Sequence, residues 1–264
     1  MRAPLSGLAP ARRRLLVLLL AGVLVACVAG AGKLVIDNLA GRGIADQDKP
    51  GPVVLVPGYG GDTASLDPLV AELRRQGRST VVAQPTSGGT GDLRTQAKRL
   101  ATLVERTIES SGSDSVDLVG YSAGGVVARL YVRDEDGGSV VRRVLTLGSP
   151  QHGTDVAALA AQLAGGCPTA CEQLAPDSDV LRRLNAGDET LDGPQWVTVR
   201  TSKDSVVTPP DSAELAGALN IEVQDLCPGA TTTHGGLPGD PVVLATVRSV
   251  LGRAAPRVPG DVTC

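Results

Sequence analysis

Val116-Asp117-Leu118-Val119-Gly120-Tyr121-Ser122-Ala123-Gly124-Gly125 is the stretch on which the reading of the fold turns. Val116 to Val119 is a short apolar run with the β-branched character of a buried strand. It leads directly into G-x-S-x-G, Gly120 to Gly124, and then into a helical pattern from Gly125 to Arg133. A strand that reverses into a helix within so few residues brings its own backbone close together, so the positions two before and two after the serine must be small. Both are glycine. The turn sets Ser122 at a helix N-terminus, where free N–H groups and the helix dipole favour developing negative charge.

Outward from this point the same grammar repeats. Short apolar runs bounded by turn residues occur at Val53 to Val56, Thr80 to Ala83, Val140 to Leu147, Trp196 to Val199 and Ile221 to Val223. Amphipathic segments lie between them, including Asp92 to Glu109, where Leu93, Ala97, Leu100, Ala101, Val104 and Ile108 share one helical face. Asp240-Pro241 reads as an N-cap with a first-turn proline for a last helix through Leu251. Continuous rather than alternating apolar strands, separated by helices, predict a doubly wound α/β fold with a mostly parallel sheet of about six strands. Sites in such sheets lie at the carboxyl ends of the strands.

A serine nucleophile requires a base, and only His152 and His234 are available. In a strand-turn-helix architecture of this type the chain order is serine, acid, histidine, with the histidine after the last strand. His234 meets this condition. His152 comes too early, so it is expected to be a hydrogen-bonding loop residue. The acid should follow a strand between Ser122 and His234, and Asp204, just beyond Trp196 to Val199, is the best placed. An oxyanion hole needs two backbone donors. Ala123 N–H follows the nucleophile, and Tyr59 N–H is the candidate from Pro57-Gly58-Tyr59-Gly60-Gly61, the Gly-rich loop after Val53 to Val56.

Composition removes other classes. The chain has 264 residues, enough for one domain with a sizeable core. Gly at 33 and Pro at 18 positions stay below the level of low-complexity chains. Aromatic residues are 2% and the net charge is -3, so neither stacking platforms nor a basic stripe for nucleic acid is expected. Two histidines and no HExxH or paired CxxC spacing leave no metal site as the expectation, and no cofactor is implied.

Residues 1–32 have the order of an export signal: Arg2 and Arg12, Arg13, Arg14, then an uncharged apolar stretch from Leu15 to Gly32. Three fates stay open. Ala29-Gly30-Ala31 resembles a signal-peptidase site, Leu24-Val25-Ala26-Cys27 resembles a lipobox that would lipidate Cys27, and residues 15–32 as a helix would span about 27 Å, close to a bilayer core of about 30 Å. Each predicts an extracytoplasmic protein, secreted or anchored to the outer face of the membrane. Residues 33–51 read as a linker and 52–264 as the catalytic domain. Outside the leader the cysteines are Cys167, Cys171, Cys227 and Cys264, an even number suited to an oxidising compartment. Three pairings are formally open, and proximity favours Cys167 with Cys171, leaving Cys227 for Cys264.

The motifs "VPGYGG" at Val56 to Gly61, "VGYSAGGVVARL" at Val119 to Leu130, "GSPQHGT" at Gly148 to Thr154, "LNAGDET" at Leu184 to Thr190, "DSVVTP" at Asp204 to Pro209 and "HGGLPGDP" at His234 to Pro241 together resemble one family. It is the exported actinobacterial lipases and esterases of the α/β-hydrolase fold, the lipase class 2 group. The resemblance covers nearly all of residues 52–252. It implies the triad Ser122, Asp204 and His234, with Tyr59 and Ala123 as oxyanion donors. Two positions depart from it: many lipases have His where Pro57 and Gln151 stand.

An ester or lipid substrate follows from this reading, with hydrolysis through an acyl-enzyme on Ser122. Thioesterase or acyltransferase chemistry uses the same parts. An envelope-anchored, non-catalytic binding protein on a hydrolase scaffold is the competing class. The Ala-rich segment Asp155 to Gly166, next to the cysteines 167 and 171, reads either as a lid or acyl-site wall or as an ordinary packed helix.

Overall fold

In a computed structural model, residues 43–163 and 165–264 are described. The leader, its cleavage sites and Cys27 lie outside the described residues.

The chain runs β1 (Val53–Val56), α1 (Asp67–Arg75), β2 (Thr80–Val82), α2 (Leu93–Ser111), β3 (Val116–Tyr121), α3 (Ala123–Asp134), β4 (Val141–Leu147), α4 (Asp155–Gln162), α5 (Thr169–Gln173), α6 (Asp179–Leu184), β5 (Gln195–Arg200), β6 (Leu219–Glu222), α7 (Val223–Leu226) and α8 (Pro241–Val250). The six strands form one sheet in the order β2-β1-β3-β4-β5-β6, and every pairing is parallel. This is the α/β-hydrolase arrangement of sheet and helices. Continuous apolar strands have a simple cause: both faces are covered. Val54, Val56, Leu118 and Val144 pack towards α2 and α3, while Val53, Leu55, Val119 and Leu145 pack towards α1 and α8. The four inner strands, β1, β3, β4 and β5, therefore bury successive side chains on opposite faces of the sheet.

Local signals set the helix ends. Asp92 caps α2 by accepting from Thr95 N at 2.6 Å, and Asp240 caps α8 by accepting from Val242 N at 2.7 Å. Five of the six strands differ from the sequence reading by one or two residues at an end: β2 stops at Val82, β3 runs on to Tyr121, β5 covers Gln195–Arg200, β6 starts at Leu219, and two further ends have a local cause. Val140 precedes β4, closing the short 3-10 turn Gly137–Ser139. Val223 belongs to α7, because β6 ends at Glu222, whose carboxylate pairs with Arg200 on the neighbouring strand.

Topology locates the site. From β1 the chain moves to β2 on one side, and from β3 it moves to β4 on the other, so the sheet order reverses between β1 and β3. A crevice opens outside the carboxyl ends of strands at such a reversal. Val56 pairs with Gly120 there, which sets the loop after β1 beside the turn that carries Ser122. At the opposite end of the sheet, buried Asp117 accepts from Arg142 Nε at 2.9 Å and from Arg78 Nη2 at 2.6 Å. Arg142 also binds the Gln47 and Gly252 carbonyls, and Arg78 binds the Gly51 and Leu251 carbonyls. Residues 47–51 of the expected linker and the end of α8 are thereby tied to the foot of the sheet. Among the described residues two disulfides are present, Cys167–Cys171 and Cys227–Cys264.

Candidate active site

Ser122 has φ 52° and ψ −127°, a left-handed conformation rare for a residue with a side chain. The surroundings enforce it. Ser122 N donates to Leu147 O at 2.9 Å, and Gly125 N donates to Ser122 O at 3.0 Å, so the turn is held from both sides. A Cβ on Gly120 would meet Gly125 Cα at 2.5 Å, and one on Gly124 would run into the Val56 and Pro57 carbonyls. These are the two small positions the motif requires. The turn then starts α3, twelve residues long, with Ser122 at its N-cap.

His234 opens a 3-10 turn, His234–Gly239, directly before α8. Thr201, at the end of β5, donates its hydroxyl to Thr232 O at 2.7 Å, tying the loop that presents His234 to the sheet. His234 Nε2 lies 3.0 Å from Ser122 Oγ, and His234 Nδ1 lies 2.8 Å from Asp204 Oδ2. All three residues are buried. The other carboxylate oxygen of Asp204 accepts from Val206 N at 2.9 Å and Val207 N at 2.8 Å, which fixes the direction of the acid. With the carboxylate on Nδ1, the imidazole carries its proton there and leaves Nε2 as the acceptor for the serine hydroxyl.

The loop after β1 lies against the serine: a Cβ on Gly58 would come within 2.9 Å of Ser122 Cβ. Tyr59 N–H and Ala123 N–H make no hydrogen bond among the described residues. Both remain available to a developing oxyanion.

Other residues at the site were not singled out by the sequence. Tyr121 donates its hydroxyl to His234 O at 3.2 Å and tilts against the imidazole at a centroid distance of 5.3 Å. Burial, with the Asp204 charge next, pushes its phenol up to about 12, so it stays a donor. Gly148, with φ 52°, lies directly beneath the acid-base pair, where a Cβ would meet Leu237 at 2.7 Å and His234 Nδ1 at 3.1 Å. Thr154 donates its hydroxyl to Val206 O at 2.6 Å and accepts from Thr208 N at 3.1 Å, bracing the loop that holds Asp204. His152 makes a different pair: its Nε2 lies 2.7 Å from Glu189 Oε1. Burial alone would raise the Glu189 carboxyl, but the Ala216 N–H and His152 hold it below the usual range. That pair ties the β4 loop to the loop before β5, and His152 N donates to Ser212 O at 3.0 Å.

In the segment expected as a lid or a packed helix, α4 buries Ala157 and exposes Val156, Leu159 and, just past its end, Leu163. Among the described residues no helix is long and apolar enough to cross a membrane.

This fold and this serine–histidine–aspartate constellation define the class of α/β-hydrolases. Residues 52–186 match the palmitoyl protein thioesterase family, and the chain belongs to it. The family so found has a thioesterase name in place of the lipase class 2 group that the motifs resemble. Solved structures of similar fold include Aspergillus fumigatus lipase B, at TM-score 0.69 and 20% identity over 80% of this chain and 54% of that one. The mature form of the Bacillus licheniformis lipase BlEst2 superposes at TM-score 0.65 with 18% identity, over 76% of this chain and 92% of that one. The chain thus spans about half the length of the Aspergillus lipase and nearly all of the Bacillus one.

Proposed function

We propose that the protein is a serine hydrolase that cleaves carboxylic esters and thioesters of acyl chains through a covalent acyl-enzyme on Ser122. The observation that carries this reading is the pair of contacts from His234, one to Ser122 Oγ and one to Asp204. Ser122 Oγ gives its proton to His234 Nε2 and attacks the acyl carbonyl carbon, whose oxygen gains negative charge and is met by the N–H groups of Tyr59 and Ala123. The tetrahedral species collapses, and His234 passes the proton to the departing alcohol or thiol. Water then repeats the sequence on the acyl-enzyme and releases the acid. Asp204 orients the imidazole and offsets its transient positive charge.

Family membership supports thioesters among the substrates, and the lipase-like fold is compatible with oxygen esters. Two disulfides support an oxidising, extracytoplasmic location. The test is steady-state hydrolysis of p-nitrophenyl esters from C2 to C16 beside a long-chain acyl thioester. Turnover of at least one series that falls by about 10³-fold or more in Ser122→Ala supports the reading. Equal turnover in both proteins would show that Ser122 is not the nucleophile, and binding of acyl chains with no turnover would favour the non-catalytic binding protein.

A further inference from the structure

The sheet ends at β2, whose three residues are only half-buried. Beside this edge a cleft of about 420 Å³ opens between α2 and the carboxyl ends of β1 and β2, within the size range of small-molecule sites. Val56, Pro57, Leu100, Leu103 and Val127 form the apolar part of its lining, beside polar groups such as Gln84, Gln96 and Thr102. Arg99 and Arg106, seven residues and so about two helical turns apart on α2, stand at the same cleft, and among the described residues no Asp or Glu lines it.

These two arginines differ from those in the interior. Arg78, Arg129 and Arg142 are each committed to carboxylate or carbonyl partners. Arg99 and Arg106 are exposed and make no ion pair or hydrogen bond among the described residues. Two free guanidinium groups at a cleft with an apolar patch are complementary to a ligand with an anionic head and an alkyl tail. The planar fork favours a carboxylate, and the lining removes the tail from water.

We propose that this cleft binds an anionic single-chain amphiphile, specifically a long-chain alkyl carboxylate, at a site separate from Ser122. Neither Ser122, Asp204 nor His234 lines it. The two regions adjoin at the strand end, where Val56 and Pro57 line the cleft and Gly58 packs against the serine, and along α3, which carries Val127 in the cleft and Ser122 at its N-cap. The proposal rests on the cavity and its charges and needs no part of the hydrolase reading. Should that reading hold, the ligand has the chemistry of the released acid.

The experiment has two arms on the full chain. In Ser122→Ala protein, where no acyl-enzyme can form and adducts report occupancy alone, a palmitate analogue with a diazirine in its tail is photolysed and the adducts are mapped by peptide mass spectrometry. In unaltered protein and in Arg99→Glu/Arg106→Glu, dodecanoate and dodecanol are titrated calorimetrically. Adducts within residues 82–86 or 96–106, at least tenfold weaker dodecanol than dodecanoate, and a similar loss of dodecanoate affinity in the double variant support the site, since charge-assisted contacts are lost in both comparisons. Adducts confined to peptides around Ser122 and His234, or equal affinity for acid and alcohol in unaltered protein, overturn it. The acid–alcohol comparison stands even where the double variant fails to fold. Ester and thioester turnover of unaltered protein reports on the hydrolase reading separately, so failure of either proposal is recognisable by itself.

Discussion

The smallest scale at which the site can be tested is the hydroxyl of Thr154. It bridges Val206 O and Thr208 N, while Val206 N and Val207 N hold Asp204 Oδ1. Losing that bridge should let the acid loop drift and misorient His234 without touching the substrate surface. Thr154→Val is therefore expected to lower kcat by about tenfold with little change in KM, and Thr154→Ser to recover most of the loss, as expected of a group that acts through geometry alone. Steady-state kinetics of the two variants checks this, and an unchanged kcat in Thr154→Val would remove Thr154 from the account. The residues that the structure brings together were legible from a local motif or from chain order: Ser122 in G-x-S-x-G, and Asp204 and His234 by their places after strands. Thr154, Tyr121 and Gly148 are not legible, because their roles arise where chain segments about 50 to 110 residues apart cross, as between Thr154 and Val206 or Tyr121 and His234.

Between elements, the most informative constraint is the Cys227–Cys264 bridge, with a sequence separation of 37, against 4 for Cys167–Cys171. In the chain-entropy model the longer loop contributes about 4 kcal/mol and the shorter about 2. The longer one also fastens the C-terminal tail just beyond α7, in the loop that leads to His234. Cys264→Ser is expected to lower both thermal stability and turnover, and Cys171→Ser to lower each by less. Differential scanning calorimetry beside the ester assay decides it, and the opposite ranking would show that the tail does not support the base. Strands were legible as elements where burial on both faces leaves an unbroken apolar run, as in the four residues Val53–Val56. The α5 and α6 helices, five and six residues long, are too short for a 3.6-residue period to show. The end of β6 was blurred because Val223 stays buried as the backbone turns helical, so its apolar character continues across the boundary.

From Ile44 to Cys264 the chain is one compact unit with chemistry at one end of the sheet and charge at the other. Asp117, fully buried, answers both Arg78 and Arg142, which in turn hold residues 47–51 and the end of α8. Asp117→Ala would leave those cations buried without their anion, a change that costs about 3–5 kcal/mol. A fall in Tm of about 10 °C is expected, since each kcal/mol corresponds to roughly 2–4 °C for a domain of this size. At temperatures well below the transition, turnover should be nearly unchanged, because the network lies at the far end of β3 from Ser122. A small shift in Tm would mean that water replaces the lost carboxylate. The central claim, that Ser122 is a nucleophile activated by His234, is tested most directly by fluorophosphonate labelling followed by peptide mapping. The account predicts a single adduct on Ser122 in unaltered protein and in His152→Ala, and none in Ser122→Ala or, at matched exposure, in His234→Ala. Failure to label folded, unaltered protein, or labelling that survives in His234→Ala but is lost in His152→Ala, would contradict it.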